Sequence, residues 1–223
     1  MSRALRACAL ASLLPCFAAV ARAQSCLGYP AMATGPLNVS VSGTVGGRFW
    51  GSGIGTNFGR RMGGAFGGVG VNSTSYVDDP QETRFTYTAV AGYERHNVDQ
   101  MIWCPIATAA FERGNEIDLI GGGHAKTNGT VFGAGAGVSF ELAGRGRFSV
   151  DPFVSGRYIV LNSEVTGDST HKFTERGIAF TLVLGIRPRD AIQITPSFSG
   201  ATLENSDLVF NLRISIALQF KKD

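Results

Sequence analysis

The residues best suited by type to catalysis or ligand binding are three histidines, His96, His124 and His171. His171 follows Asp168 and Ser169, so a base, a carboxylate and a nucleophile fall within one short polar stretch. Ser/His/Asp catalysis requires these groups to be held by a rigid scaffold, and such a polar stretch predicts a loop. We therefore expect no catalytic residues. The alternative, a lipid- or peptide-cleaving enzyme, requires His124 or His171 beside a serine or carboxylate on the wall of a rigid scaffold.

Other stretches with acidic or glycine-rich composition also do not form a recognisable metal or phosphate site. Asp78, Asp79 and Glu82 lie in one polar segment, where acidic side chains are solvated by default. The glycine-rich stretches 121–123 and 133–137 lack the following lysine and the strand–loop–helix context of a phosphate loop. We predict no metal site and no cofactor. A net charge of +3 without clustered basic residues argues against a nucleic-acid partner.

The N-terminus has the parts of a secretory signal peptide. Arg3 and Arg6 precede the apolar residues 7–20, and the small residues Ala21 and Ala23 follow. We predict a signal peptide over residues 1–23, cleaved after Ala23, and a periplasmic lead-in over residues 24–36. The alternative is an uncleaved anchor, which the shortness of the apolar run disfavours.

The cysteines indicate an oxidising compartment. Removing the signal peptide removes Cys8 and Cys16 and leaves Cys26 and Cys104. A single pair in an exported chain predicts a disulfide between Cys26 and Cys104. Two thiolates cannot form a four-thiolate zinc site.

The last strand, residues 209–220, shows which elements must position these residues. Its polar residues alternate with an apolar set: Phe210, Leu212, Ile214, Ile216, Leu218 and Phe220. A period of two predicts a strand with one apolar and one polar face. About a dozen residues exceeds the soluble average of about 5–6 and approaches the length needed to cross a bilayer at a tilt.

Similar patterns recur along the chain and predict about ten strands, or eight if the two glycine-rich segments 49–58 and 61–72 are not strands. The predicted strands are 37–42, 49–58, 61–72, 84–95, 101–111, 131–142, 147–160, 174–186, 191–199 and 209–220. Short connections alternate with longer polar ones at 73–81, 113–130, 161–173 and 200–207. Short periplasmic turns and long outer loops are typical of outer-membrane barrels. The predicted fold is therefore all-β: a closed, antiparallel, up-and-down transmembrane β-barrel over residues 37–223.

The apolar faces can contact either lipid or a soluble core. A soluble barrel or sandwich would carry Lys and Glu on its solvated faces, whereas these faces carry Ser, Thr, Asn and Gly. Closed barrels satisfy all backbone hydrogen bonds in hydrocarbon and leave no exposed edge. We expect the apolar faces to contact outer-membrane lipid.

The signal peptide, the alternating strands and the terminal strand ending at Phe220 resemble the small outer-membrane β-barrel family of the OmpX-like and opacity-protein-like kind. The resemblance implies this architecture, an outer-membrane location and recognition of the terminal strand by the barrel-assembly machinery. Residues 221–223 follow Phe220 and depart from the family pattern, in which the chain ends on that aromatic residue.

The strand faces also predict what fills the lumen. Unpaired buried charges are costly, so we expect a paired network there, with Arg157 and Glu175 close across one hairpin. Its predicted members are Arg84, Glu94, Asp151, Arg157, Glu175 and Arg213. A small barrel has room for little beyond side chains. We therefore expect a non-enzymatic barrel with a structural or surface-binding role, binding an extracellular ligand through loops 113–130 and 161–173. The alternative is a narrow channel for small solutes.

Overall fold

The structure is a computed structural model, and it describes most of the chain beyond residue 36. The described residues are 37–47, 49–59, 64–77, 83–96, 101–119, 123–140, 143–145, 148–167, 170–189, 192–204 and 206–219. The predicted signal peptide (1–23), the lead-in (24–36) with Cys26, the acids at 78, 79 and 82, and Phe220 lie outside them. Their predictions stay predictions.

The described residues form strands that close into one barrel. The strands are β1 Leu37–Gly46, β2 Phe49–Gly59, β3 Gly64–Tyr76, β4 Thr83–His96, β5 Met101–Leu119, β6 Gly123–Phe140, β7 Ala143–Arg145, β8 Phe148–Thr166, β9 Thr170–Arg189, β10 Ile192–Leu203 and β11 Ser206–Gln219. Each pairs antiparallel with its neighbours in sequence, and β1 pairs with β11 to close the ring. The short β7 continues β6 along the edge of β8, so β6 and β7 together occupy one position in the ring and the barrel counts as ten-stranded. The predicted ten-stranded barrel is confirmed, and the alternative of eight strands is wrong.

The two faces of the terminal strand are oriented as predicted. Leu212 and Ile214 on β11 are 52% and 51% exposed, whereas Ser215 between the apolar positions is 1% exposed. The apolar side chains therefore lie on the outside of the barrel and the polar ones inside. An exposed apolar belt around a closed barrel is the arrangement that a bilayer requires.

No α-helix that is long and apolar enough to cross a bilayer occurs in the described part of the chain.

The outer surface changes from apolar to polar within one outward residue of the same level on three neighbouring strands, and on β9 the change comes first, at Arg176, which pairs with Val160. On β8, Val160 is the last apolar outward residue and Asn162 the first polar one. Asn162 pairs in register with Thr174 on β9 and with Thr130 on β6, and both neighbours are polar there too. This shared level marks one edge of the lipid-facing belt. We call the rim beyond it the distal rim, and the opposite rim, where β1 begins and β11 ends, the terminal rim.

Four adjacent strands extend past that edge. Strands β5, β6, β8 and β9 have 18 to 20 residues, whereas the other full strands have 10 to 14. The predicted loops 113–130 and 161–173 are wrong, because most of their residues pair as strands: Arg113 with Asn128 and Leu161 with Glu175. On β8 and β9 the outward residues of these segments are polar, so the pattern of apolar outward residues that reveals the rest of each strand ends there. We call the paired segments 113–119, 123–130, 161–166 and 170–176 the raised wall.

Candidate functional site

A cluster of apolar side chains lies among buried polar ones in the lumen near the terminal rim. Phe66 on β3 and Phe153 on β8 are 3% and 2% exposed, and they form one cluster with residues of β5 and β9. The other members of this lumen floor are Ile102, Cys104, Ile106 and Val183, with Val90 packed against it. Such a cluster excludes water as a protein core does. The sequence pattern does not reveal this cluster, because on β5 the inward Ile102, Cys104 and Ile106 alternate with outward residues that are also apolar.

Cys104 lies within this floor rather than at the outer edge of the rim. Its side chain is fully buried and disulfide-bonded, and its partner lies outside the described residues. The pairing with Cys26 stays a prediction.

The predicted charged residues all occupy inward positions, but at several depths. Arg84, at the distal end of β4, forms an ion pair of 2.8 Å with Glu112 on β5, and its guanidinium lies 4.9 Å from the ring centre of Tyr76. Glu94 and Asp151 are buried near the terminal rim, at 2% and 0% exposure. These positions are too far apart along the strands to form a single network.

Arg187 was not among the predicted lumen residues, yet it is 5% exposed. Its position is opposite Ser149, two residues along β8 from Asp151, so its side chain shares the lumen face with that acid. The predicted strand 174–186 ends one residue before it. Strand β9 instead continues to Arg189.

The expected proximity of Arg157 and Glu175 is wrong. Glu175 pairs with Leu161, four residues along β8 from Arg157. At about 3.3 Å per residue this separates the two positions by about 13 Å. The Nη2 atom of Arg157 instead donates a hydrogen bond of 3.1 Å to Thr181 Oγ1.

Arg157 and Arg213 line a cavity of about 360 Å³ inside the barrel. Phe153 on β8 and Ala217 on β11 are buried near the terminal rim. Arg157 lies four residues nearer the distal rim than Phe153, and Arg213 lies four residues nearer it than Ala217. Val90 lines the cavity and also packs on the lumen floor, so the two are adjacent. Arg213 Nη2 donates a hydrogen bond of 2.7 Å to Ser42 Oγ.

The raised wall carries polar contacts on its outer face and an aromatic pair on its inner face. Thr174 Oγ1 donates to Asn162 Oδ1 at 2.9 Å, and Lys172 approaches Glu164 at 3.4 Å. On the other face His171 stacks on Phe173, with ring centres 6.5 Å apart, and Phe173 is 53% exposed. The side chains of His96 and His124 lie outside what the structure describes.

The fold resembles that of outer-membrane β-barrels. The translocator domain of the autotransporter NalP from Neisseria meningitidis aligns with a TM-score of 0.53 and 11% identity, covering 98% of this chain and 95% of that chain. Ail from Yersinia pestis aligns with a TM-score of 0.43 and 11% identity over 83% of this chain and 99% of its own. Neisserial surface protein A has a TM-score of 0.39 and 10% identity over 84% and 99%.

At these identities the similarity concerns the fold. Comparisons with models of protein families and with curated protein sequences give no match. The predicted resemblance to small outer-membrane barrels is confirmed at the level of architecture. The chain therefore has the fold of a closed β-barrel with an exposed apolar belt, and an outer-membrane location is what this belt and the shared fold support.

Proposed function

We propose that the protein is a non-enzymatic outer-membrane barrel with a closed lumen, which presents the raised wall as a binding surface outside the cell. The observation that carries this proposal is the lumen floor. Phe66 and Phe153 are almost fully buried inside the barrel, where a porin would have water. A lumen packed with these buried apolar side chains and with buried polar ones does not provide a path for hydrated solutes.

The raised wall supports the surface role. Its strands hold polar and aromatic side chains on a hydrogen-bonded sheet, which positions them better than flexible loops would. Exposed Phe173 beside His171 and the charged pair Lys172–Glu164 give the two faces different chemistry. Exposed aromatic and charged residues on a rigid scaffold are typical of recognition surfaces.

Conductance in planar bilayers tests the closed lumen. We expect purified protein to give no steady open current, and the double variant Phe66→Ala, Phe153→Ala to give one. The Phe132→Ala variant is the control, because Phe132 is an outward-facing aromatic that is 54% exposed. A steady current through the unaltered protein would instead support the alternative function, a narrow channel.

The surface role is tested by shortening the wall. Replacing residues 162–174 by an Asn-Gly turn joins β8 and β9 near the edge of the lipid belt, where Leu161 pairs with Glu175. We expect the shortened barrel to fold, as judged by its heat-modifiable gel mobility. Bacteria that produce it should adhere less to surfaces coated with glycosaminoglycan or matrix protein than bacteria that produce the full chain. Equal adhesion with equal surface expression would contradict a role for this part of the wall.

A further inference from the structure

We propose that the cavity lined by Arg157 and Arg213 binds a small oxyanion of the size and charge of phosphate. This site is independent of the raised wall and of whether the lumen conducts. The two arginines come from β8 and β11, so the ring of strands brings them to one cavity although they are distant in sequence.

The first observation is the charge imbalance in this cavity. Each guanidinium has one hydrogen bond to a neutral hydroxyl, from Arg157 to Thr181 and from Arg213 to Ser42. Among the described residues neither arginine forms an ion pair, and the residues that line the cavity include no acid. Two cations that share a cavity inside a barrel repel each other, and a bound anion would relieve that repulsion.

The second observation is the remaining hydrogen-bonding capacity. The Nε atoms of Arg157 and Arg213 are buried and have no hydrogen-bond partner within the described part of the chain. A guanidinium has five N–H donors, and each of these two uses one of them in the hydrogen bonds described, so N–H groups remain for an acceptor that enters the cavity. Guanidinium N–H groups match the oxygens of phosphate, sulfate and carboxylate in geometry.

The other lining residues fit a small anion. Asn57 supplies an amide and Thr108 a hydroxyl, while Ile159, Ala110 and Ala179 are apolar and keep the cavity sparsely polar. A side chain at Gly135 would collide with the Gly156 carbonyl and with Cα and Cγ of Arg157, so glycine at this position permits the observed placement of the arginine. The contrast is Arg84, a third lumen arginine, whose charge is compensated by Glu112 at 2.8 Å.

Calorimetric titration of the detergent-solubilised, full-length barrel with inorganic phosphate tests the site, at constant ionic strength set with chloride. We expect saturable one-site binding that Arg157→Gln and Arg213→Gln each weaken by about tenfold or more, as for loss of a charge-assisted hydrogen bond. Arg84→Gln is the matched control and should bind within about twofold of the unaltered protein, because Arg84 already has an acidic partner.

Three results would overturn the proposal: no saturable phosphate binding, binding that Arg84→Gln weakens as much as the other two variants, or binding that neither Arg157→Gln nor Arg213→Gln weakens. If a glutamine variant does not reach the heat-modifiable folded form, Thr181→Val or Ser42→Ala replaces it, since each removes the hydroxyl that orients one guanidinium. We then expect affinity to change by about two- to tenfold, and an unchanged affinity would contradict the site.

Discussion

The phenyl ring of Phe153 lies directly against the backbone of Gly137 on the neighbouring strand. Its Cζ and Cε2 atoms occupy the position that a Cβ at residue 137 would need. Phe66 covers Gly92 on β4 in the same way. The lumen floor therefore depends on two glycines as much as on the aromatic residues, because only a bare backbone leaves room for a ring inside so narrow a barrel.

Adding a methyl group at Gly137 should destabilise the barrel. We expect Gly137→Ala to lower the free energy of unfolding by about 1–3 kcal/mol, since the ring of Phe153 must leave its position in a packed cluster. Gly156→Ala is the matched control on β8, where a Cβ would meet nothing within 4 Å. Its effect should stay within about 0.5 kcal/mol. Urea unfolding in lipid or detergent measures both, and equal stability of the two variants would count against the proposed packing.

The ion pair between Arg84 and Glu112 should contribute modestly to stability. Their side chains are 23% and 34% exposed, so solvent screens the 2.8 Å contact. A double-mutant cycle with Arg84→Gln and Glu112→Gln should give a coupling energy of about 0.2–1 kcal/mol. The more exposed pair Lys172–Glu164, 3.4 Å apart, should give less under the same conditions. A larger coupling energy for Lys172–Glu164 than for Arg84–Glu112 would show that solvent exposure does not determine the coupling energies of these two pairs.

Arginine substitutions along the outer face of β9 should report the depth of the lipid belt. Leu182→Arg places a charge well inside the belt and should cost about 2–4 kcal/mol, whereas Thr174→Arg lies beyond its edge and should cost about 0–1 kcal/mol. Ile178→Arg should fall between them. Equilibrium unfolding from phospholipid bilayers gives the three values. Equal costs at Leu182 and Thr174 would mean that β9 does not cross the bilayer as described.

The disulfide of Cys104 should join it to Cys26. Mass spectrometry of a non-reduced digest of the exported protein should find the two cysteine-containing peptides linked, and reduction should separate them. Cys26→Ser should then expose Cys104 to alkylation after denaturation, whereas the unaltered protein should resist it. A linked peptide that contains Cys8 or Cys16 would show that the signal peptide is retained and the predicted pairing is wrong.

The lipid-facing part of the barrel was predictable from sequence because hydrocarbon imposes a sharp contrast between its two sides. Leu212 and Ile214 had to face lipid while Arg213 faced inward, and alternation records that requirement directly. The raised wall was missed for the complementary reason. Past Val160 the outward residues are polar, so the pattern of apolar outward residues that marks the rest of β8 ends there. Asn162 and Glu164 therefore have the composition of a loop although they pair with β6 and β9.

The contents of the lumen were predictable only in part. Inward residues follow from parity along each strand, and so Arg157, Glu175 and Arg213 were recognised as inward. Which of them meet depends on the register between strands, which single-strand patterns do not contain. Leu161, and not Arg157, is opposite Glu175, and Arg213 lies beside Ser42, which is distant in sequence.

The raised wall is formed by four adjacent strands, and the short strands β1 and β2 lie on the far side of the ring. The distal rim is therefore oblique: it is high along the raised wall and low along β1 and β2. Among the described residues, the distal ends of β1 and β2 form the low side, across which a molecule moving in the plane of the membrane can reach the inner face of the wall. The geometry thus favours sideways approach by membrane-attached molecules over descent along the barrel axis.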